Sequence, residues 1–165
     1  FIFDVELVEL KTEEEIYEEE AEIIQDYIEN NEIEAESYPN SLYHVLLEEG
    51  DGKQPKSSSL VEFHFTRKYL DGTIIETTTD DDPIRTYLNN PTGSIQLVRG
   101  LEEGLLLMKE GETAELIMPS KLAFGKSVQV LPQQLRQDWA EKEEINPVTK
   151  PYSPVIYEVE LIEVN

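Results

Sequence analysis

The chain has no cysteine, a single tryptophan, two methionines and two histidines in 165 residues. Without cysteine there is no disulfide and no thiolate chemistry. The redox compartment stays open, because a cysteine-free domain works in either. Basic residues are scarce: 13 Lys and Arg stand against 36 Asp and Glu, a net charge of −23. That surplus argues against a nucleic-acid partner, whose phosphates it would repel, and against anionic membrane surfaces. Solubility is its bland reading. No apolar run approaches the ~20 residues of a membrane helix, so no membrane insertion is expected. His44 and His64 fall on different predicted strands and have no HxH or HExxH companion, so no metal site is expected. There is no nucleophile elbow, P-loop or dinucleotide motif, and nucleophilic or phosphoryl chemistry finds no support. Neither a signal peptide nor an initiator Met is present, which reads as a processed or cropped chain.

What is present centres on residues 95–125, IQLVRGLEEGLLLMKEGETAELIMPSKLAFG. Gly100 breaks the chain ahead of a short predicted helix. Leu101, Leu105 and Met108 share one face of it, at i, i+4 and i+7. Glu102 and Glu103 in its first turn and Lys109 in its last suit the helix dipole, and Gly111 is placed to end it in a left-handed cap. The period then changes to two: Thr113 to Met118 alternates as a strand, which Pro119 closes.

The remaining chain, 39% hydrophobic overall, suits one domain plus an appendage. Residues 1–10, FIFDVELVEL, alternate like a strand and echo VIYEVELIEV near the end. They read either as the last strand of a preceding domain or as a chance match of two acidic strands. In either case an unpaired edge would seek a partner. Thr12 to Glu15 is a capping box, opening a helix to about Asn30 with Ile16, Ile23, Ile24, Tyr27 and Ile28 on one side. Its glutamate runs read as a solvated face rather than a cation site. Strands are predicted at 42–47, 60–69 and 73–79, the last two joined by a tight Asp71-Gly72 turn. Val61, Phe63 and Phe65 share a face of the middle strand. The run Asp80-Asp81-Asp82 is a surface loop without the spaced ligands of a calcium motif. Between Gly125 and Pro154 a helix is expected from Pro132 at its first position, with Leu131, Leu135 and Trp139 along one side.

These pieces resemble the FKBP-type peptidyl-prolyl isomerases. The resemblance rests on Val98-Arg99-Gly100, Glu102-Glu103-Gly104, the Met-Lys-x-Gly-Glu run at 108–112, Met118-Pro119 and Ala123-Phe124-Gly125, in that order. Phe63-His64-Phe65-Thr66 with Leu70-Asp71-Gly72 looks like the family's second strand and hairpin, and Val155 to Leu161 like its closing strand. Together they cover roughly residues 40–165. The resemblance implies an α+β fold, a curved antiparallel sheet wrapped on one short helix, here with an N-terminal strand and linker helix. The implied organisation is a strand at 1–10, a linker helix at 11–36, and the domain proper at 37–165 with an insertion at about 126–150.

The function the resemblance implies is peptidyl-prolyl cis-trans isomerisation of proline-containing polypeptides, without cofactor or metal. An impaired FKBP-like chaperone or binding module, or a dimerising structural domain, are the alternatives. By resemblance the catalytic cup is Phe65, Glu76, Val98, Leu101, Phe124 and Tyr157, and substrate would also meet Ile75, Ile84, Leu97, Leu135 and Trp139. Val98 stands where a backbone N–H meets a ligand carbonyl. Several positions depart from the family. Leu101 replaces a tryptophan floor, Phe65 and Phe124 replace tyrosines, Ile75 a phenylalanine and Glu76 an aspartate, so weak activity is expected. Trp139 either anchors the insertion to the body or covers the groove with Leu135. A dimer or a preceding domain would contact residues 1–36. Tandem acidic members occur in bacterial envelopes, which points to the periplasm or cell envelope and leaves the cytoplasm open.

Overall fold

The computed structural model describes residues 9–79, 82–89, 97–125 and 150–165. Helix α1 (Glu13–Asn30) opens the described chain. Strands β1 (Glu36–Tyr38), β2 (Leu42–Glu48), β3 (Leu60–Tyr69), β4 (Ile74–Thr77) and β5 (Ile84–Tyr87) follow. Helix α2 (Arg99–Leu105), β6 (Thr113–Met118) and β7 (Val155–Val164) complete it. The seven strands form one sheet in the order β1-β2-β6-β7-β3-β4, with β5 also pairing β3. Every pairing is antiparallel. Two α-helices accompany the sheet among the described residues, and the fold is α+β. Among the described residues no helix is long and apolar enough to cross a membrane.

The sheet is two-faced because its strands alternate. Val61, Phe63, Phe65, Arg67 and Tyr69 of β3 are buried, as are Ala114, Leu116 and Met118 of β6 and Tyr157, Val159 and Leu161 of β7. Their apolar members make the main core under Leu101 and Leu105 of α2. The opposite face carries a second cluster, Val45, Ile117 and Ile156, which Ile24 of α1 completes. One bulge lets β7 carry an extra residue against β3: the register passes from Phe63↔Leu161 to Glu62↔Glu163, and Ile162 is left exposed.

The Thr12 capping box closes α1, the Thr12 hydroxyl accepting from Glu15 N at 3.2 Å and Glu15 Oε2 accepting from Thr12 N at 2.8 Å. The inward line of the helix differs from the sequence expectation. Ile24 is buried, but so is Glu20, while Ile23 is 51% exposed. Glu20 reaches the turn after β6, accepting from Ser120 N and Ser120 Oγ, both at 2.7 Å. A charge is thus tolerated inside because two donors meet it.

Helix α2 also departs from expectation. It starts at Arg99 with Val98 as its N-cap and ends at Leu105, so Gly100 lies inside it rather than before it. The predicted inward trio Leu101, Leu105 and Met108 is fully buried, Met108 from beyond the helix end. Gly111 takes the left-handed conformation, φ +85°, in the turn leading to β6 and not as a helix cap. Its N–H donates to Leu161 O at 2.7 Å. The return strand shortens to β4, where a bulge shifts the register between Arg67↔Glu76 and Lys68↔Ile74. The expected strand at 1–10 lies outside the described residues for 1–8, and Glu9 and Leu10 are not in a strand. The expected helix after Pro132, with Leu135 and Trp139, lies outside them altogether.

Gly100 and Gly104 are helical because α2 sits directly on β6. A Cβ at Gly104 would run into both methyl carbons of Leu116, Cδ2 at 2.8 Å, and Leu116 is fully buried. Alanine gains about 1 kcal/mol of helix propensity over glycine. Overpacking a filled core costs about 1–3 kcal/mol. The clash wins, so Gly104→Ala is expected to destabilise the fold by about 1 kcal/mol net, seen as a lower urea midpoint at unchanged slope. A raised midpoint would show that α2 can lift off the sheet freely.

Candidate active site

One cavity of about 240 Å³ opens between α2 and the end of the sheet. Each side contributes from a different element. Strand β3 gives Phe65 and Arg67, β4 gives Glu76 and β5 gives Ile84. Leu97, Val98 and Leu101 come from the start of α2, Phe124 from the turn after β6, and Tyr157 from β7. The cup is smaller than the roughly 300–1,000 Å³ of sites for drug-sized ligands, and suits a group the size of one residue. Two larger depressions, about 540 and 570 Å³, each carry several glutamates and a single tyrosine, so neither has aromatic convergence. The smaller one joins buried rings to a few polar groups, the usual anatomy of a binding site.

The walls are held by packing. Phe65 is 7% exposed, with its ring centroid 5.3 Å from that of Tyr157 and 6.4 Å from that of Phe63. Its strand edge is fixed at the same point, since Phe65 N donates to Thr78 Oγ1 at 2.9 Å and Thr78 N to Phe65 O at 2.9 Å. Leu101 forms a buried floor. Val98, as N-cap, lies in extended conformation, so its N–H stands outside the helix's own hydrogen bonds. Phe124 is half-buried. Its turn is tied by Ala123 N and Gly125 N, which both donate to Ser120 O at 2.9 and 2.8 Å.

Arg67 is the residue that pattern reading missed. Its register partners are Glu76 on one side and Tyr157 on the other. Nη2 lies 3.1 Å from Glu76 Oε2, and Nη1 donates to the Tyr157 hydroxyl at 3.4 Å. The guanidinium covers the Phe124 ring at 4.2 Å from its centroid, a cation–π arrangement. Burial pushes the Tyr157 hydroxyl above the usual phenol range, against the opposing charge of Arg67, so it stays protonated at neutral pH. The signal for Arg67 was available: it is i+2 from Phe65 and i+4 from Phe63 on a strand, hence on the core face.

Of the residues singled out in sequence, Phe65, Glu76, Ile84, Leu97, Val98, Leu101, Phe124 and Tyr157 come together around this cavity. Ile75 packs partly buried against the main core and does not line the cup. Adjacent strand residues point apart, and it is Glu76 that stands opposite Arg67. Leu135 and Trp139 lie outside the described residues.

A short helix seated on an antiparallel sheet, with an aromatic cup at the helix N-terminus, defines a small α+β domain. Residues 51–162 match the family described as FKBP-type peptidyl-prolyl cis-trans isomerase, and the chain belongs to that family. Among curated proteins it is 31% identical over 90 residues to the FKBP-type peptidyl-prolyl cis-trans isomerase FkpA of Aeromonas hydrophila, covering 54% of this chain and 32% of that one. It is 26% identical over 132 residues to the macrophage infectivity potentiator of Trypanosoma cruzi, covering 79% and 57%. The chain thus spans between a third and somewhat over half the length of these relatives. Among solved structures, FkpA from Escherichia coli matches with a TM-score of 0.64 at 24% identity, covering 93% of this chain and 62% of that one. A peptidyl-prolyl cis-trans isomerase from Pseudomonas syringae matches with a TM-score of 0.64 at 19% identity, covering 95% and 98%. Both support the fold.

Proposed function

We propose that this chain is a weak peptidyl-prolyl isomerase that accelerates cis–trans exchange at X-Pro bonds of polypeptides and so assists their folding. The observation that carries the reading is the cup itself: residue-sized, floored by Leu101, walled by Phe65, Phe124 and Tyr157, and open to solvent. The X-Pro bond is slow because its partial double bond must twist, against a barrier of ~18–20 kcal/mol. No nucleophile is needed. A catalyst has only to favour the twisted amide over the planar one. An apolar cup removes the water that solvates the planar dipole, and each ~1.4 kcal/mol of preference is tenfold in rate. The absent hydroxyls at Phe65 and Phe124 and the leucine floor leave fewer anchors, which is why the catalysis is proposed to be weak. The periplasm or cell envelope is the proposed location. One relative, from Legionella longbeachae, is described as the outer membrane protein MIP.

Exchange spectroscopy by NMR on a blocked proline tetrapeptide tests this. Wild type is expected to broaden and exchange the cis and trans signals at micromolar enzyme. Phe124 is half-buried and on a turn, so Phe124→Ala is expected to lower kcat/KM about tenfold or more while moving the unfolding midpoint little. If wild type binds unfolded chains and slows their aggregation yet leaves the exchange rate unchanged, the isomerase reading fails and a binding module replaces it.

A further inference from the structure

Strand β3 points five residues into the protein, and four of them, Val61, Phe63, Phe65 and Tyr69, are apolar or aromatic. The fifth, Arg67, is 5% exposed. A cation is kept inside only when its hydrogen bonds and charge are met. Here they are met in part. A guanidinium carries five N–H donors. Two acceptors face them: Glu76, whose side chain is itself 49% exposed, and the Tyr157 hydroxyl at the long distance of 3.4 Å. The Nε of Arg67 is buried and has no partner. Replacing such a half-satisfied buried charge by an apolar side chain is often neutral or favourable for stability. Stability alone therefore does not account for an arginine at this position.

The placement does. The guanidinium lies over Phe124 and is tethered by Glu76, so its position is set before anything binds, and a preset donor costs no reorganisation during reaction. It borders the cup. The rings of Phe65 and Phe124 bring no hydroxyl, and that of Tyr157 is already engaged by Arg67. Glu76 neutralises the arginine, and the chain carries −23 net charge, so a second carboxylate is a poor guest. The wanted acceptor is neutral.

We propose that Arg67 is a catalytic residue, its guanidinium donating a hydrogen bond to the prolyl ring nitrogen as the X-Pro amide twists. This rests on the isomerase reading above. A pyrrolidine ring fits a one-residue cup, and its nitrogen is the one polar atom that enters with it. In the planar amide that nitrogen's electron pair is delocalised into the carbonyl and accepts poorly. As the bond twists, conjugation is lost and the pair localises on nitrogen. A donor there favours the twisted form alone, which is what raises kcat. A donor to the preceding carbonyl oxygen would favour the planar form and slow the reaction. No bond is made or broken and no proton leaves Arg67.

The test measures kcat and KM separately, by NMR exchange on acetyl-Ala-Phe-Pro-Ala-amide over a concentration series, for wild type, Arg67→Met and Arg67→Lys. Arg67→Met is expected to lose kcat about tenfold to a hundredfold, the range of one charge-assisted hydrogen bond, with KM within about twofold and thermal stability unchanged or raised. Arg67→Lys, which keeps charge but not the fork, is expected to fall between. A peptide with 4-fluoroproline, whose nitrogen is less basic, checks the wild-type protein without mutation. Its acceleration over the uncatalysed rate is expected to shrink in wild type and not in Arg67→Met. Unchanged kcat in Arg67→Met, or a loss confined to KM, overturns the assignment and leaves the isomerase reading standing. No acceleration by wild type removes both.

Discussion

Phe65→Ala is expected to lower the free energy of unfolding by about 3–5 kcal/mol, the range for truncating a buried phenylalanine. Phe65 is a wall of the cup and a core residue at once. It is 7% exposed, on the longest pairing of the sheet, between the rings of Phe63 and Tyr157. Removing it forfeits apolar burial, two ring contacts and the packing that keeps Arg67 in place two residues on. Natural domains hold only about 5–15 kcal/mol in total, so the variant is expected to be marginal at 37 °C. Urea unfolding by tryptophan-independent circular dichroism measures it. The contrast with Phe124→Ala is informative, because one wall is carried by a strand and the other by a turn. A loss near 1 kcal/mol would mean that this side of the cup is loosely packed and adapts to its contents.

The same contrast shows what pattern reading can and cannot reach. The alternation Val61, Phe63, Phe65 places β3 and its inner face directly, and the resemblance then locates the cup, because its residues stand at inner strand positions or at element ends. Alternation equally places Arg67 inside, but a charged residue is assumed to face water until partners are known. Those partners are Glu76, across a bulged hairpin, and Tyr157, 90 residues away. Glu20 is the helical counterpart. Apolar periodicity favours Ile23 for the inward side of α1, and the structure buries Glu20 because Ser120, 100 residues on, offers two donors. Boundaries of α2 failed for a related reason: glycine lowers helix propensity locally, while close packing on Leu116 and Met118 demands it. His44 likewise lacks a sequence neighbour to pair with, yet its Nε2 lies 2.8 Å from Glu112 Oε1.

Glu20→Ala is expected to destabilise the protein by about 2–4 kcal/mol, because Ser120 N–H and its hydroxyl, in a residue 1% exposed, would each lose their acceptor. Glu20→Gln keeps both bonds, its amide oxygen accepting from the N–H and its NH₂ donating to the hydroxyl oxygen, and is expected to cost little. The pair of variants also separates packing from charge. Burial pushes the Glu20 carboxyl above the usual range, opposed by the two Ser120 hydrogen bonds and by Lys121. The fold therefore binds this proton more tightly than the unfolded chain does. Its contribution is full below the ordinary carboxylate pKa and is lost as pH rises through the folded value. Glu20→Gln carries no such proton, so it is expected to match wild type near pH 4 and to become progressively more stable than wild type toward pH 7. Thermal unfolding across that range, always as the difference from wild type, cancels the general effect of a chain with 36 acidic residues. Parallel curves would show that Glu20 ionises without penalty and that water, not protein, surrounds it. Because Ser120 also holds the turn bearing Phe124, Glu20→Ala is further expected to reduce isomerase turnover through the looser cup wall, linking the docked helix to the site on the other face of the sheet.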